Sequence, residues 1–152
     1  MQIADKVNIL LVDDKPENLL VLEAIIACEE YNLIKAFSGE EALKYLLKLN
    51  FAVILLDVQM PVLDGFSTVK LIKARKRTRN TPIIFITANY MDSKHVLTGY
   101  SVGAMDYILK PFDPIVLKSK VRGYVEIFKL NRKLDCQAEM LSEKTKQLEK
   151  TC

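Results

Sequence analysis

Asp57 closes the apolar run Phe51-Ala52-Val53-Ile54-Leu55-Leu56. A carboxylate at the end of a buried strand is costly to ionise unless something cationic meets it there. Three further runs end on reactive side chains. Asp13-Asp14 follows Val7-Asn8-Ile9-Leu10-Leu11-Val12, Thr87 follows Ile83-Ile84-Phe85-Ile86, and Lys110 follows Tyr107-Ile108-Leu109 and precedes Pro111. Ligands of an open parallel sheet gather at the carboxyl ends of its strands. If these runs lie side by side, three acids, a hydroxyl and an ammonium meet in one cleft. Such a set suits a divalent metal and a transferable phosphoryl group.

The elements that must position these groups alternate along the chain. Apolar strand patterns fall at about 7–12, 32–37, 51–57, 82–87 and 105–109. Most are continuous rather than alternating in polarity, as in a parallel sheet covered on both faces. Helical patterns separate them. Pro16 suits the first turn of a helix after Asp14-Lys15, and Ser38-Gly39-Glu40-Glu41 fits a capping box. Asp64 can cap a third helix, Asp92 or Ser93 can start a fourth, and Asp113-Pro114 opens the last. Five strands and five helices in alternation predict a doubly wound α/β domain. The last helix meets no breaker except Gly123 and is expected to run to about residue 150, too long merely to cover a sheet.

Composition narrows the function. With 152 residues, half of them apolar, the chain can bury one ordinary core. No apolar run reaches the roughly 20 residues that span a bilayer. No secretory signal is visible at the start, and Cys28, Cys136 and Cys152 lack metal-ligand spacing, so they read as reduced cytosolic thiols. Residues 1–113 hold 13 Lys/Arg against 14 Asp/Glu, and residues 114–152 hold 9 against 5, so the net +3 divides into −1 and +4. The tail reads as a solvated helix rather than a nucleic-acid surface. The cluster Lys73, Arg75, Lys76, Arg77 and Arg79 has no interleaved aromatics and is expected to line a helix end and the loop after it. His95, the only histidine, reads as a surface residue, which leaves histidine-based catalysis without a candidate.

Over about residues 5–128 the chain resembles the response-regulator receiver domain of two-component signalling. The resemblance rests on Val12-Asp13-Asp14, Leu56-Asp57-Val58-Gln59-Met60-Pro61-Val62-Leu63-Asp64-Gly65, Thr87-Ala88 and Gly103-Ala104-Met105-Asp106-Tyr107-Ile108-Leu109-Lys110-Pro111-Phe112, in that order. It implies a flavodoxin-like sheet of order 2-1-3-4-5. Asp57 would take a phosphoryl group from a histidine kinase or phosphotransfer protein. Asp14, Asp57 and the backbone carbonyl of Gln59 would hold Mg²⁺, with Asp13 acting through a metal-bound water. Lys110 would pair with Asp57 and then with the phosphoryl oxygens, Thr87 would donate to one of them, and the Lys110-Pro111 bond would be cis. Thr87 and Tyr107 would form the switch pair that reshapes the face of the fourth helix, fifth strand and fifth helix. Gln59 and Asn89 would tune dephosphorylation.

Other readings compete. A strand-end aspartate is often only a helix cap, and Asp13 and Asp14 could jointly cap the first helix. Haloacid-dehalogenase-like phosphatases use a similar set, but place a second acid two residues after the nucleophile, where Gln59 stands here. A dimerisation module that has lost phosphotransfer is a third possibility, opposed by the complete set of acids, Thr87 and Lys110.

The tail, residues 129–152, reads as a coiled-coil extension. Ile127, Leu134, Leu141 and Leu148 recur every seven residues as d positions, with Asn131, Ala138, Thr145 and Cys152 as a positions. Lys144 at g could meet Glu149 at e of a partner. The expectation is a parallel homodimer with neighbouring Cys152 residues, feeding a following output module such as a histidine kinase or diguanylate cyclase.

Overall fold

The computed structural model describes residues 6–57, 65–87 and 106–151. Its sheet has five strands: β1 (Val7–Val12), β2 (Tyr31–Ala36), β3 (Val53–Asp57), β4 (Ile83–Thr87) and β5 (Asp106–Leu109). They are hydrogen-bonded in the order β2-β1-β3-β4-β5, every pair parallel, which is the order expected from the sequence. The helices are α1 (Pro16–Ile26), α2 (Gly39–Lys48), α3 (Gly65–Ala74) and a C-terminal helix (Pro114–Thr151). The fourth helix expected to start at Asp92 or Ser93, and the Asp64 cap, lie outside the described residues, as does His95.

Alternate strand residues point to opposite faces, and both faces are covered. Ile9, Leu11, Val53 and Leu55 pack under α1 (Leu19, Leu22, Ile26) and the C-terminal helix (Leu117, Val121, Val125). Leu10, Val12, Ile54 and Leu56 pack under α2 (Ala42, Leu46) and α3 (Val69, Ile72). Double coverage is why β1 and β3 are almost unbroken runs of apolar residues.

Strand ends differ from expectation by a residue or two. β2 starts at Tyr31 and β4 at Ile83, while β3 starts at Val53 rather than Phe51; the expected first residue of β5, Met105, lies outside the described residues. Phe51 and Ala52 are nevertheless buried, and the Ala52 amide donates to Asn8 O at 2.9 Å, so the approach to the strand is already tied down.

Helix starts follow local chemistry. The Glu41 amide donates to Ser38 Oγ at 3.1 Å, one half of the expected capping box. Pro16 occupies the first turn of α1, but the N-cap is Lys15, without a side-chain cap, so Asp13 and Asp14 are not joint caps. At the last helix Asp113 Oδ1 accepts from the Ile115 amide at 2.9 Å, as Asp113-Pro114 suggests. The basic cluster does end α3 and the turn after it. There Lys73 Nζ donates to Arg79 O and Thr81 O, its pKa lowered by burial, and Arg77 donates to Leu47 O.

The C-terminal helix is 38 residues long, about 57 Å at the standard rise. Two polar tethers hold its first half. Lys120 Nζ lies 2.7 Å from Asp106 Oδ2, which Tyr124 Oη also approaches at 3.4 Å. Glu30 receives Lys129 Nζ at 3.0 Å and Arg122 Nη1 at 3.3 Å, and the Lys129 contact holds its carboxyl below the usual range. Beyond Lys129 every residue through Ser142 is exposed. Among the described residues no helix is long and apolar enough to cross a membrane. Cys28 and Cys136 are free and exposed.

Candidate functional site

Strand register alone brings the reactive residues to one edge of the sheet. Val12 pairs with Leu56, so Asp13, the next residue, is level with Asp57 on the neighbouring strand. Asp57 pairs with Ile86 of β4, which places Thr87 one residue further out. Thr87 in turn pairs with Leu109, and Lys110 follows directly. Residues separated by almost a hundred positions therefore end four adjacent strands.

The acids converge. A carboxylate oxygen from each of Asp13, Asp14 and Asp57 lies within 4.8 Å of the others. Asp13 is 2% exposed and Asp57 9%. Asp13 Oδ1 accepts from the Lys15 amide at 3.0 Å, and the Asp13 amide donates to Ala36 O at 3.1 Å, so the turn out of β1 locks that side chain in place. Carboxylates this close repel one another, and a cation among them would relieve that repulsion. A small cluster of oxygen ligands at the carboxyl ends of parallel strands fits Mg²⁺, which keeps several waters and binds few carboxylates. The donor set thus fits the expected ion.

Lys110 begins the turn after β5 and is half-buried, and its bond to Pro111 is cis, as expected. Asp113 then starts the C-terminal helix, so the lysine sits in a short, doubly anchored turn. Tyr107 lies on β5 opposite Phe85 and is 37% exposed, on the side of the strand away from buried Ile108. Gln59 and Asn89 lie outside the described residues.

Two contacts of this region were not legible in the sequence. Asp106, at the far end of β5 from Lys110, holds Lys120 and Tyr124; its position in the Gly103–Phe112 segment was the one available signal. The Glu30 tether joins residues 92 and 99 positions apart and leaves no sequence trace.

Comparison with known proteins agrees with this geometry. Residues 9–122 match the family model of the response regulator receiver domain. The transcriptional regulatory protein CpxR of Escherichia coli is 40% identical over 116 residues, which cover 76% of this chain and 48% of that protein. A probable cyclic di-GMP phosphodiesterase of Vibrio cholerae is 32% identical over 126 residues, 83% of this chain and 28% of that one. Among solved structures, the receiver domain of a Pseudomonas aeruginosa sensor histidine kinase, with magnesium coordinated in its active site cleft, is 32% identical. Its TM-score is 0.71, over 80% of this chain and 98% of that one. This chain spans less than half the length of the curated relatives it matches. The matches favour neither the phosphatase reading nor the inert dimerisation module.

Proposed function

The chain belongs to the response regulator receiver family, a phosphoryl-accepting switch of two-component signalling, and we propose that Asp57 is its acceptor. The observation that carries this reading is the convergence of Asp13, Asp14 and Asp57 at the ends of two central strands, with Asp57 the one at the end of the fully buried strand. An Asp57 carboxylate oxygen attacks the phosphorus of a phosphohistidine on a kinase or phosphotransfer protein. The C–O–P bond forms as the P–N bond breaks, and the imidazole leaves with the bonding pair and takes up a proton. Little covalent work is asked of the protein, so positioning and charge neutralisation dominate.

Asp14, Asp57 and the Gln59 carbonyl would hold Mg²⁺, with Asp13 acting through a water. When bound, the ion neutralises charge on the phosphoryl oxygens. Lys110 holds the Asp57 carboxylate at rest and a phosphoryl oxygen after transfer. Thr87 donates its hydroxyl to another, and Tyr107 turns as Thr87 moves, reshaping the face around β5. Gln59 and Asn89 set the access of water to the acyl phosphate.

In this reading residues 5–128 form the receiver and 129–152 a coiled-coil extension. The extension pairs two chains in parallel and leads to an output module, in the cytoplasm, without contact to nucleic acid or membrane by this segment. The seam leucines Leu134, Leu141 and Leu148 and the sequence spacing of Lys144 and Glu149 support the pairing.

The test is labelling by a small phosphodonor such as phosphoramidate. A gain of one phosphoryl group that needs Mg²⁺ and is lost on chelation supports the proposal. Labelling indifferent to the ion would overturn the metal's part in it.

A further inference from the structure

The C-terminal helix has two faces, and the receiver uses only one. Leu117, Val121 and Val125 are buried against the sheet. Ile127, Leu130, Leu134 and Leu141 are 52%, 56%, 53% and 65% exposed. At about 100° per residue, these four and Ala138 fall within an arc of roughly 80°, on the side opposite Val121 and Val125. An apolar stripe of this kind is a seam without its partner.

Asn131 is not in that arc. It lies on the flank turned toward the receiver's underside. There it lines a cavity of about 590 Å³ with Leu49, Asn50, Arg77 and Asp135. It also lines the adjoining cavity of about 530 Å³, together with Lys48 and Arg132. Ile127 stands between the two settings, on the rim of the larger cavity and at the head of the stripe. Leu130 lines neither cavity.

We infer that the stripe pairs with the same stripe of a second copy, and that the seam opens Ile127, Leu130, Leu134, Ala138 before continuing to Leu141. This rests on the parallel homodimer proposed above and corrects its first step, in which Asn131 rather than Leu130 follows Ile127. The steps along the seam are then three, four and four residues, an eleven-residue spacing, where a strict heptad would alternate three and four. An eleven-residue spacing unwinds the left-handed supercoil locally, so the two helices leave their receivers nearly straight and supercoil only further on.

A second copy is the occupant the chemistry favours. The stripe is self-complementary, because a parallel copy offers the same residues at the same heights. The charges beside it are complementary as well. Lys133 and Asp135 are exposed on opposite flanks of the stripe, and opposite flanks meet in a parallel two-fold pair. The receiver itself cannot cover the stripe, since it already holds the other face. In the resulting dimer each receiver sits behind its own helix, on the outside of the pair.

Disulfide scanning decides the matter. In a chain carrying Cys28→Ser, Cys136→Ser and Cys152→Ser, single Leu130→Cys, Asn131→Cys and Leu134→Cys variants are oxidised with copper phenanthroline, and their mass is measured by sedimentation before oxidation. All three positions are exposed, so folding is not at stake. Leu134→Cys and Leu130→Cys are expected to cross-link at least about tenfold faster than Asn131→Cys, because only paired Cβ atoms a few ångströms apart can bridge. Rapid cross-linking at Leu134 and Asn131 but not at Leu130 overturns the eleven-residue opening and leaves the dimer standing. A monomer with no cross-link at any position overturns the dimer and the seam with it. A dimer that cross-links at none of them shows the pairing to lie elsewhere and overturns the seam alone.

Discussion

The two ends of this molecule are built on opposite terms. At the acidic end, Asp13 and Asp57 are almost fully buried and fixed by strand register and local hydrogen bonds. At the other end, the helix beyond Lys129 is exposed through Ser142 and is an amphipathic rod. The three acids of that end all come from one chain. The helix leaves an apolar stripe in solvent, which the proposed pairing would cover. In the proposed reading the two regions have separate jobs: a buried site that takes one covalent event, and an exposed helix that acts as a lever passing it on.

Core substitution separates the two ends most sharply. Leu55→Ala in the centre of β3, where the side chain has no exposure, is expected to cost about 2–5 kcal/mol in urea unfolding. Leu141→Ala, at 65% exposure, is expected to change monomer unfolding by no more than about 0.5 kcal/mol while weakening self-association. Equal losses at both positions would mean that the helix is not the independent lever described.

A change at the edge of the site tests function without touching the core. If Lys110 holds the phosphoryl group as proposed, Lys110→Ala should slow phosphorylation by a small donor by about two orders of magnitude. The melting temperature should barely move. A variant phosphorylated at the wild-type rate would remove Lys110 from the site.

Between the two regions lies Asp106, which ties β5 to Lys120 and Tyr124 of the helix. Asp106→Ala should cost about 1.5–3 kcal/mol, the range for a hydrogen bond to a charged group, and should loosen the helix before the site. Protection of helix amides against hydrogen exchange reports this directly; undiminished protection around Lys120 would show that the tether carries no load.

The smallest effect has the opposite sign. Gly123 lies within the helix, and a Cβ added there meets nothing within 4 Å. Gly123→Ala should therefore raise stability by about 0.5–1 kcal/mol, read as a shift in the urea midpoint. A loss of stability would mean that the helix bends or packs at that point.

The same contrast explains what the sequence discloses. Asp57, Thr87 and Lys110 each end an apolar run, and in a parallel sheet the ends of such runs come together automatically, so both the strand order and the cleft can be read from spacing and family resemblance. Strand limits slip by a residue or two because Phe51 and Ala52 are as buried as the strand they precede. The seam is different. Ile127, Leu130, Asn131 and Leu134 allow two spacings, and the cavity that Asn131 lines is formed by Leu49, Asn50 and Arg77 from far upstream. Glu30 reaching Arg122 and Lys129 is equally non-local.

In the proposed reaction Asp57 carries the phosphoryl group. Labelling with phosphoramidate and Mg²⁺, followed by borohydride reduction of the acyl phosphate and peptide mass mapping, locates it directly. One reduced residue is expected, at Asp57, with no labelling of Asp57→Asn. Label on another residue, or an Asp57→Asn variant labelled at the wild-type level, would contradict it.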